Sequence, residues 1–279
     1  MAHIIGWGLR VYSVLLLCGG MAGVTTVLFG FGGGFVVVPL MYAMLVMSNG
    51  VDSVVGQSAM HIAVATSTAV MIFAALLSTW RHQRAGTLSW HQVKPLIGYI
   101  AIGAVGGAAA AQAVSGSWVR WAFVVYLVVT IMDSILRPGF MQTETSLMRP
   151  MGRSFTAVAG TAIGVIAAFL GVGGSVMTVP LMRRRGASMT AATAMANPLS
   201  LPMAITATAT YVLLARHDVS LGPWHAGYVD LRAFMMLALG SWLGIQLAST
   251  WIGRIPDHAH AKIYVLLLVL VLLVMLVIG

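Results

Sequence analysis

Residues 30–41 read GFGGGFVVVPLM, and residues 171–182 read GVGGSVMTVPLM. The two stretches match at seven positions in the same register and lie 141 residues apart. Consecutive glycines can adopt positive φ and allow the backbone to approach another segment or a ligand closely. A glycine-rich turn that occurs twice, each time with V-P-L-M after it, indicates an internal duplication with an equivalent turn in each half.

Further matches extend the repeat beyond the turn. Gly86 of AGTL lies at the same 141-residue offset as Gly227 of AGYV, and the pair Gly103 and Gly107 resembles the GSWLG sequence at 240–244. Glycines at four-residue spacing are common where membrane helices pack together. The matches occur in the same order in both halves, which supports the duplication more strongly than any single glycine pair.

The composition indicates a membrane protein. Only 8% of the 279 residues are charged and 59% are hydrophobic, with a mean hydropathy of +0.95, whereas a soluble domain carries about 25% charged residues. Apolar runs of near-spanning length recur along the chain, which predicts an all-α, polytopic integral membrane protein. These segments fall at about 11–29, 35–47, 59–78, 96–113, 119–136, 154–170, 176–182, 187–215, 233–252 and 262–279.

The positive charges predict the orientation. The polar break RPGFMQTETSLMRPMGR at 137–153 separates two membrane repeats, 1–136 and 154–279. If the 79–95 loop is cytoplasmic, 11 of the 15 lysines and arginines face the cytoplasm, against 4 in the opposite orientation, and basic residues favour cytoplasmic loops. We therefore expect a cytoplasmic linker, both termini outside, and the equivalent loop at 216–232 outside, so that the repeats have inverted topology.

The net charge of +9 has the same explanation. In membrane proteins, basic residues lie in cytoplasmic loops and contact anionic lipid. We therefore expect membrane lipid, and not nucleic acid, as a partner.

Two apolar segments are too short to cross the membrane as helices. Residues 175–182 would span roughly 12 Å and residues 35–47 about 20 Å, against a hydrocarbon core of about 30 Å. Each glycine turn is therefore expected to join the arms of a broken or re-entrant hairpin, with the short segment at 175–182 either returning from mid-membrane or partly extended. Close packing around glycine is one explanation of these turns, and a substrate-lining role is the other.

The second explanation has a physical basis. Irregular backbone at membrane depth is tolerated where protein buries it or water reaches it. Helix N-termini at such a turn present unpaired N–H groups, which suit anions. Inverted repeats with paired helix breaks indicate the substrate site of a secondary transporter.

Twin G-x-G-G-[GS]-x-x-x-V-P-L motifs, the segment Ala65-Thr66-Ser67 and the two-half layout together resemble the sulfite exporter TauE/SafE family of membrane transporters. The resemblance covers essentially the whole chain. It implies a transporter of sulfur-containing anions, such as sulfite, sulfoacetate and related organosulfonates, in a bacterial inner membrane.

The chain departs from the family pattern in its second half. Family members often carry a Thr-Ser pair with a proline six residues later, but Met195-Ala196 stand in that place before Pro202. Asn197 is then expected to substitute as an amide donor, so that the predicted site is asymmetric and the identity of the substrate is open.

The predicted substrate site combines backbone amides of both turns with polar side chains of the helices that follow. Its residues are Gly32, Gly33, Gly34, Thr66, Ser67, Gly173, Gly174, Ser175 and Asn197. Hinge or structural roles are expected for Gly30, Pro39, Gly171, Pro180, Pro198 and Pro202. Because proline removes a backbone donor, Pro198 and Pro202 are expected to break the 187–215 segment.

His61 and Asp133 are the candidates for proton coupling. Histidine titrates near pH 6.5, and acids within membrane segments often carry protons. The alternative for His61 is an interfacial position, and for Asp133 a helical ion pair with Arg137, four residues on. The three arginines at 183–185 are expected to anchor a short segment and set the topology, and could also attract anions.

The favoured hypothesis is export by alternating access, with no cofactor, metal site or catalytic residue. An uptake carrier or channel for anions such as thiosulfate or sulfite on the same fold is the first alternative. A membrane-embedded, thiol-dependent sulfur transferase that uses Cys18, the single cysteine, is the second. The oligomeric state is left open.

Overall fold

The computed structural model describes residues 2–50, 52–137, 140–141, 151–213 and 224–277, with side chains from residue 11 onward. Almost all of the described chain is helical, apart from one short hairpin. The elements are α1 Ala2–Phe29, α2 Gly34–Asn49, α3 Val54–Gln57, α4 Ala59–Arg84, α5 Trp90–Ala113, α6 Gly116–Leu136, α7 Arg153–Leu170, α8 Ser175–Arg184, α9 Met189–Leu213, β1 His225–Ala226, β2 Val229–Asp230, α10 Leu231–Ala248 and α11 Asp257–Val277, with a 3-10 helix at Ser249–Trp251.

Seven helical segments of the described chain are long and apolar enough to cross a membrane. They are Val11–Phe29, Ala59–Arg84, Trp90–Ala113, Gly116–Leu136, Arg153–Leu170, Leu231–Trp251 and Asp257–Val277. The predicted all-α, polytopic membrane class is therefore confirmed. The inverted orientation of the two repeats and the boundaries of the repeats stay predictions.

Helix α4 occupies the centre of the bundle. Of its most apolar stretch, 72% is buried, against 33–44% for the other six spans. It packs on α9 and α2, while α9 packs on α5 and α8. The residues of α4 and α9 are therefore the ones that surround any site inside the bundle.

The two short arms are helical. The ten residues of α8 cover about 15 Å and the sixteen of α2 about 24 Å at 1.5 Å per residue. Both values are below the thickness of the hydrocarbon core, and α8 is not extended. Each glycine turn therefore ends one long helix and starts a short one.

Pro198 and Pro202 do not interrupt the helix, because α9 runs through both, and a kink at these prolines stays a prediction. The missing N–H groups leave the carbonyls of Ala194 and Pro198 without their usual helical partner. Asn197 donates to Thr193 O at 3.2 Å, and Ser200 donates to Ala196 O at 3.0 Å, so these side chains bond to neighbouring carbonyls and not to the two freed ones. Proline is tolerated in membrane helices that are packed among neighbouring helices, as α9 is against α4 and α5.

The most extensive helix–helix contacts join one half of the protein to the other. Helix α5 lies along α7, and α1 lies along α10. Under the sequence repeat, α1 corresponds to α7 and α5 to α10, so the two contacts are equivalent. Both depend on the glycine pairs recognised in the sequence, since a Cβ on Gly103 or Gly107 would overlap the carbonyl oxygens of Thr161 and Val165.

The equivalent contact has the same form. A Cβ on Gly240 or Gly244 would overlap the carbonyl oxygens of Leu16 and Gly20. The facing helices also carry the glycine pairs Gly19 with Gly23 and Gly160 with Gly164. Three of these glycines lie close to the partner backbone, and Gly160 lies against Tyr99 Cβ. Close backbone approach through small residues is how membrane helices gain packing energy, and here it joins the two halves.

We expect Gly107→Val to destabilise the protein by about 1–3 kcal/mol, the usual cost of overpacking, because the added side chain must displace the backbone of α7 at Val165. Gly106→Val is the matched control, since a Cβ on Gly106 has no atom within 4 Å. Thermal unfolding of both variants in detergent measures the difference. Equal melting temperatures would contradict the assigned contact.

Candidate functional site

The two glycine turns use different backbone conformations. In the first turn, Gly30, Gly32 and Gly33 have φ values of 75°, 67° and 87°. In the second, Gly171 has a φ of 68°, whereas Gly174 has an ordinary helical φ of −58°. The first turn thus requires glycine at three positions, because other residues rarely adopt these angles.

Each turn packs on the central helix of the other half. A Cβ on Gly30 would lie 3.0 Å from Thr193 O on α9, and one on Gly171 would lie 2.9 Å from Val64 Cα on α4. Gly30 and Gly171 are equivalent in the repeat, so Val64 and Thr193 are equivalent as well. Val64 and Thr193 are 129 positions apart, so each residue of α4 is equivalent to the residue of α9 that lies 129 positions later.

The two turns also touch each other, as a site that combines the backbone amides of both turns requires. A Cβ on Gly32 would lie 3.4 Å from Gly173 Cα, and one on Gly173 would lie 3.2 Å from Phe31 O. A Cβ on Gly34 would overlap Gly171 O. We call this contact between the turns the junction.

Both short helices begin at the junction, α2 at Gly34 and α8 at Ser175. The first N–H groups of a helix have no partner within it and form its positive end. In the described chain, at least six N–H groups at the junction donate no hydrogen bond to the backbone. They include those of Gly32, Gly33, Gly34, Gly173, Gly174 and Ser175.

In contrast to these N–H groups, carbonyl groups at the ends of the long helices accept hydrogen bonds from side chains. His82 Nε2 donates to Val27 O at 2.7 Å, and the Tyr211 hydroxyl donates to Ala168 O at 3.0 Å. Val27 and Ala168 are 141 positions apart, and His82 and Tyr211 are 129 apart. At equivalent positions, the two halves therefore use different side chains to donate a hydrogen bond to the carbonyl at the end of the long helix.

Met71 fills the junction. Its side chain is fully buried, with Sδ 3.2 Å from the Cβ position of Gly32 and 3.3 Å from that of Gly173. Its Cε lies 2.6 Å from the Cβ position of Gly34. Sequence reasoning missed this residue, because a methionine in an apolar helix carries no signal beyond packing.

The position equivalent to Met71 on α9 is Ser200. Its Oγ lies 3.0 Å from the Cβ position of Gly173 and donates to Ala196 O at 3.0 Å. The two central helices therefore present a thioether and a hydroxyl to the same junction.

Of the predicted hydroxyl pair, only Ser67 contacts a turn. Its Oγ donates to Gly171 O at 3.0 Å. Thr66 Oγ1 instead accepts a hydrogen bond from the N–H of Asp230 on β2, also at 3.0 Å. Both side chains are fully buried, but they face different parts of the protein.

Asn197 is fully buried one residue after Ala196, whose Cβ lies 3.1 Å from the Cβ position of Gly30. The amide nitrogen of Asn197 already donates to Thr193 O. The described chain offers no partner to its Oδ1. Asn197 keeps the second N–H of its amide, so the predicted donor role stays a prediction, and the unpaired Oδ1 adds an acceptor.

Pro39 and Pro180 lie inside α2 and α8, five residues after each helix begins, and both are buried. Because proline has no N–H, the carbonyls of Phe35 and Val176 lack their usual helical partner. The prolines therefore act within the short arms and not at the turns themselves.

His61 and Asp133 lie at opposite ends of the bundle. His61 Nε2 is 3.0 Å from Ala111 O, and its ring centroid is 5.5 Å from that of Tyr228. Asp133 forms the expected ion pair with Arg137, at 3.4 Å, and a second one with Arg184. Asp133 therefore lies between two arginines, one on its own helix α6 and one at the end of α8.

Arg183, the first of the three arginines expected to anchor the short segment, has a fully buried side chain. It donates to Phe140 O through Nε at 3.1 Å and Nη2 at 2.7 Å, and to Ala187 O at 3.2 Å. It also pairs with Asp257 at 2.9 Å. Asp257 Oδ1 accepts the N–H of Met189, so the cluster joins α8, α9, α11 and the linker.

Aromatic rings connect this cluster to the first turn. Phe31 stacks on Phe35 and on Tyr264, with centroid distances of 4.4 Å and 4.7 Å. Tyr264 in turn contacts Phe140 at 5.4 Å. Together with Arg183, these rings close the junction on the side of the 79–95 loop, where Arg185 donates to Gln92.

Cys18 is buried in the apolar core. Reactive cysteines lie in electropositive, partly exposed surroundings that favour the thiolate, and Cys18 has neither feature. The sulfur transferase hypothesis therefore lacks an accessible nucleophile.

Comparisons with known proteins agree with these features. The family profile described as "Sulfite exporter TauE/SafE" matches residues 15–275. A "Probable membrane transporter protein" of Haemophilus influenzae is 24% identical over 271 residues, covering 93% of this chain and 97% of that protein. "Probable membrane transporter protein YunE" of Bacillus subtilis is 26% identical over 257 residues, covering 85% and 87%. No solved structure matches the chain.

We expect Arg183→Met to lower the free energy of unfolding by at least about 2 kcal/mol, because it leaves buried carbonyl groups of Phe140 and Ala187 without a donor. Arg254→Met removes an exposed arginine and serves as the control. Melting temperatures in detergent compare the two variants. A loss as small as that of Arg254→Met would contradict the structural role of Arg183.

Proposed function

The chain belongs to the sulfite exporter TauE/SafE family, and on that basis we propose that it exports a sulfur-containing anion, such as sulfite, sulfoacetate or a related organosulfonate. The protein is a multi-pass membrane transporter. For its location we propose a bacterial inner membrane, with the linker in the cytoplasm and both termini outside.

The convergence of two helix starts at the junction is the observation that carries this proposal. At least six N–H groups there donate no hydrogen bond to the backbone, and both helix dipoles are positive at that end. Sulfite and sulfonate groups each present three oxygen atoms that accept hydrogen bonds. An anion at the junction would satisfy donors that otherwise stay unpaired in a buried region.

In the structure, Met71 fills the junction, and other parts of the protein cover the junction on both sides. Thr66 and the N–H of Asp230 hold the β1–β2 hairpin over one side, and the Arg183 cluster closes the other. Transport by alternating access therefore requires Met71 to leave the junction and one cover to open at a time. We propose His61, beside the hairpin, as the candidate for proton coupling. Asp133 is the weaker candidate, because it is engaged in two ion pairs.

Uptake and efflux assays in proteoliposomes test the proposal. We expect sulfite or an organosulfonate to cross, with a rate that responds to a pH gradient if a proton is the coupling ion. Gly33→Ala should abolish most of the flux, because φ is 87° at Gly33 although the added Cβ has no atom closer than 3.6 Å.

Gly98→Ala is the control, since Gly98 lies in a helix and its added Cβ has no atom within 4 Å. Movement of cations or neutral solutes alone would overturn the anion proposal. If the anion moves only down its own concentration gradient, and no ion gradient drives it uphill, the channel alternative is favoured.

Met71 is expected to influence which anion is transported. We expect Met71→Ala to enlarge the junction and shift the flux ratio of a bulky organosulfonate to sulfite by roughly tenfold, the order found when a pocket changes by a methylene group or more. Met60→Ala, a buried methionine of the same helix, should leave the ratio unchanged. The ratio is measured by competition in the same vesicles, and equal ratios in both variants would contradict this role.

A further inference from the structure

Two grooves on the lateral faces of the bundle occupy equivalent places in the two halves. The first lies between α6, α7 and α8 and has a volume of about 350 Å³. The second lies between α11, α1 and α2 and has a volume of about 90 Å³. We call them the charged groove and the apolar groove, for the reasons that follow.

The lining of the grooves obeys the sequence repeat residue by residue. Each of the ten residues that line the apolar groove has a counterpart 141 positions away in the lining of the charged groove. Pro39 corresponds in this way to Pro180, and Val274 of α11 to Asp133 of α6. The grooves are therefore two copies of one feature whose chemistry has diverged.

The divergence is concentrated at one end of the charged groove. There, Asp133 and Arg137 at the end of α6 meet Arg184 at the end of α8. Two guanidinium groups share one carboxylate, which leaves one positive charge in excess. The side chain of Arg137 is 71% exposed, and Arg184 Nε has no partner in the described chain.

The rest of the charged groove is apolar and opens sideways. Its wall includes Ile163, Ile166, Val176 and Met177, and Val129 at its edge is 58% exposed on the outer face of the bundle. A groove of this kind meets the acyl chains of the bilayer and not the aqueous phase. The predicted orientation places its charged end at the cytoplasmic leaflet, where anionic lipids concentrate.

We propose that the charged groove binds one anionic phospholipid, with the headgroup phosphate at Arg137 and Arg184 and an acyl chain along the apolar wall. Guanidinium groups form strong, charge-assisted hydrogen bonds with phosphate, and the excess positive charge selects an anionic headgroup. The apolar groove, which carries Val274 in the place of Asp133, takes acyl chains without selecting among headgroups.

Photo-crosslinking tests the proposal on the full chain in nanodiscs. One sample contains phosphatidylglycerol with a diazirine on the acyl chain, and a second contains the matched phosphatidylcholine. Mass spectrometry then measures the labelling of α6 to α8 and of α11, α1 and α2. We expect phosphatidylglycerol to label the charged groove more strongly than phosphatidylcholine does, and both lipids to label the apolar groove equally.

Arg137→Gln should reduce the preference for phosphatidylglycerol by about fivefold, the factor expected for one arginine at a membrane surface. Arg120→Gln, at the opposite end of α6, should leave it unchanged. Arg137 is exposed and makes one ion pair, so the variant should fold. Equal labelling of the charged groove by both lipids, or an unchanged preference in Arg137→Gln, would overturn the proposal.

Two further outcomes also decide against it. A preference of the same size in both grooves would mean general attraction of anionic lipid to a basic protein. Displacement of the label by a free organosulfonate, but not by excess phosphatidylglycerol, would assign the groove to a soluble anion.

Discussion

Polar backbone groups inside the bilayer need partners, and this constraint determines the arrangement around the two turns. A turn at membrane depth frees carbonyls at the end of one helix and N–H groups at the start of the next. Here the freed carbonyls are bound by side chains, Val27 O by His82 and Leu28 O by His260, with Gly171 O bound by Ser67. The N–H groups stay without partners, so the junction as a whole is a set of donors.

The duplication gives both halves one geometry, and the side chains then differ at equivalent positions. Met71 stands where the other half has Ser200, and His82 where it has Tyr211. A symmetric anion would gain nothing from this difference, whereas an anion with one apolar end would meet a thioether on one side and a hydroxyl on the other. Among the anions proposed above, an organosulfonate is therefore the one that would use both sides of this asymmetric junction.

The features that could be predicted from the sequence are those set by local pattern. Repeated glycines with V-P-L-M, short apolar arms and scarce charge predict the membrane class, the short helices and the contact between turns. The contribution of Met71 depends on the packing of α4 against both turns, and nothing in its neighbourhood along the chain indicates this. The burial of Arg183 is set by Asp257, 74 residues later, and by Phe140 of the linker, so the three arginines in a row do not indicate it.

The two covers of the junction differ in what must be broken to open them. Among the described residues, the hairpin bonds to α4 through the Asp230 N–H and Thr66 Oγ1, and it adds a ring contact between Tyr228 and His61. The opposite cover has an ion pair, three hydrogen bonds from Arg183 and stacked aromatic rings. Since charge-assisted bonds are about twice as strong as neutral ones, the described contacts of the hairpin are the weaker of the two sets. Under the predicted orientation, the weaker set lies on the outer side and the Arg183 cluster lies on the cytoplasmic side.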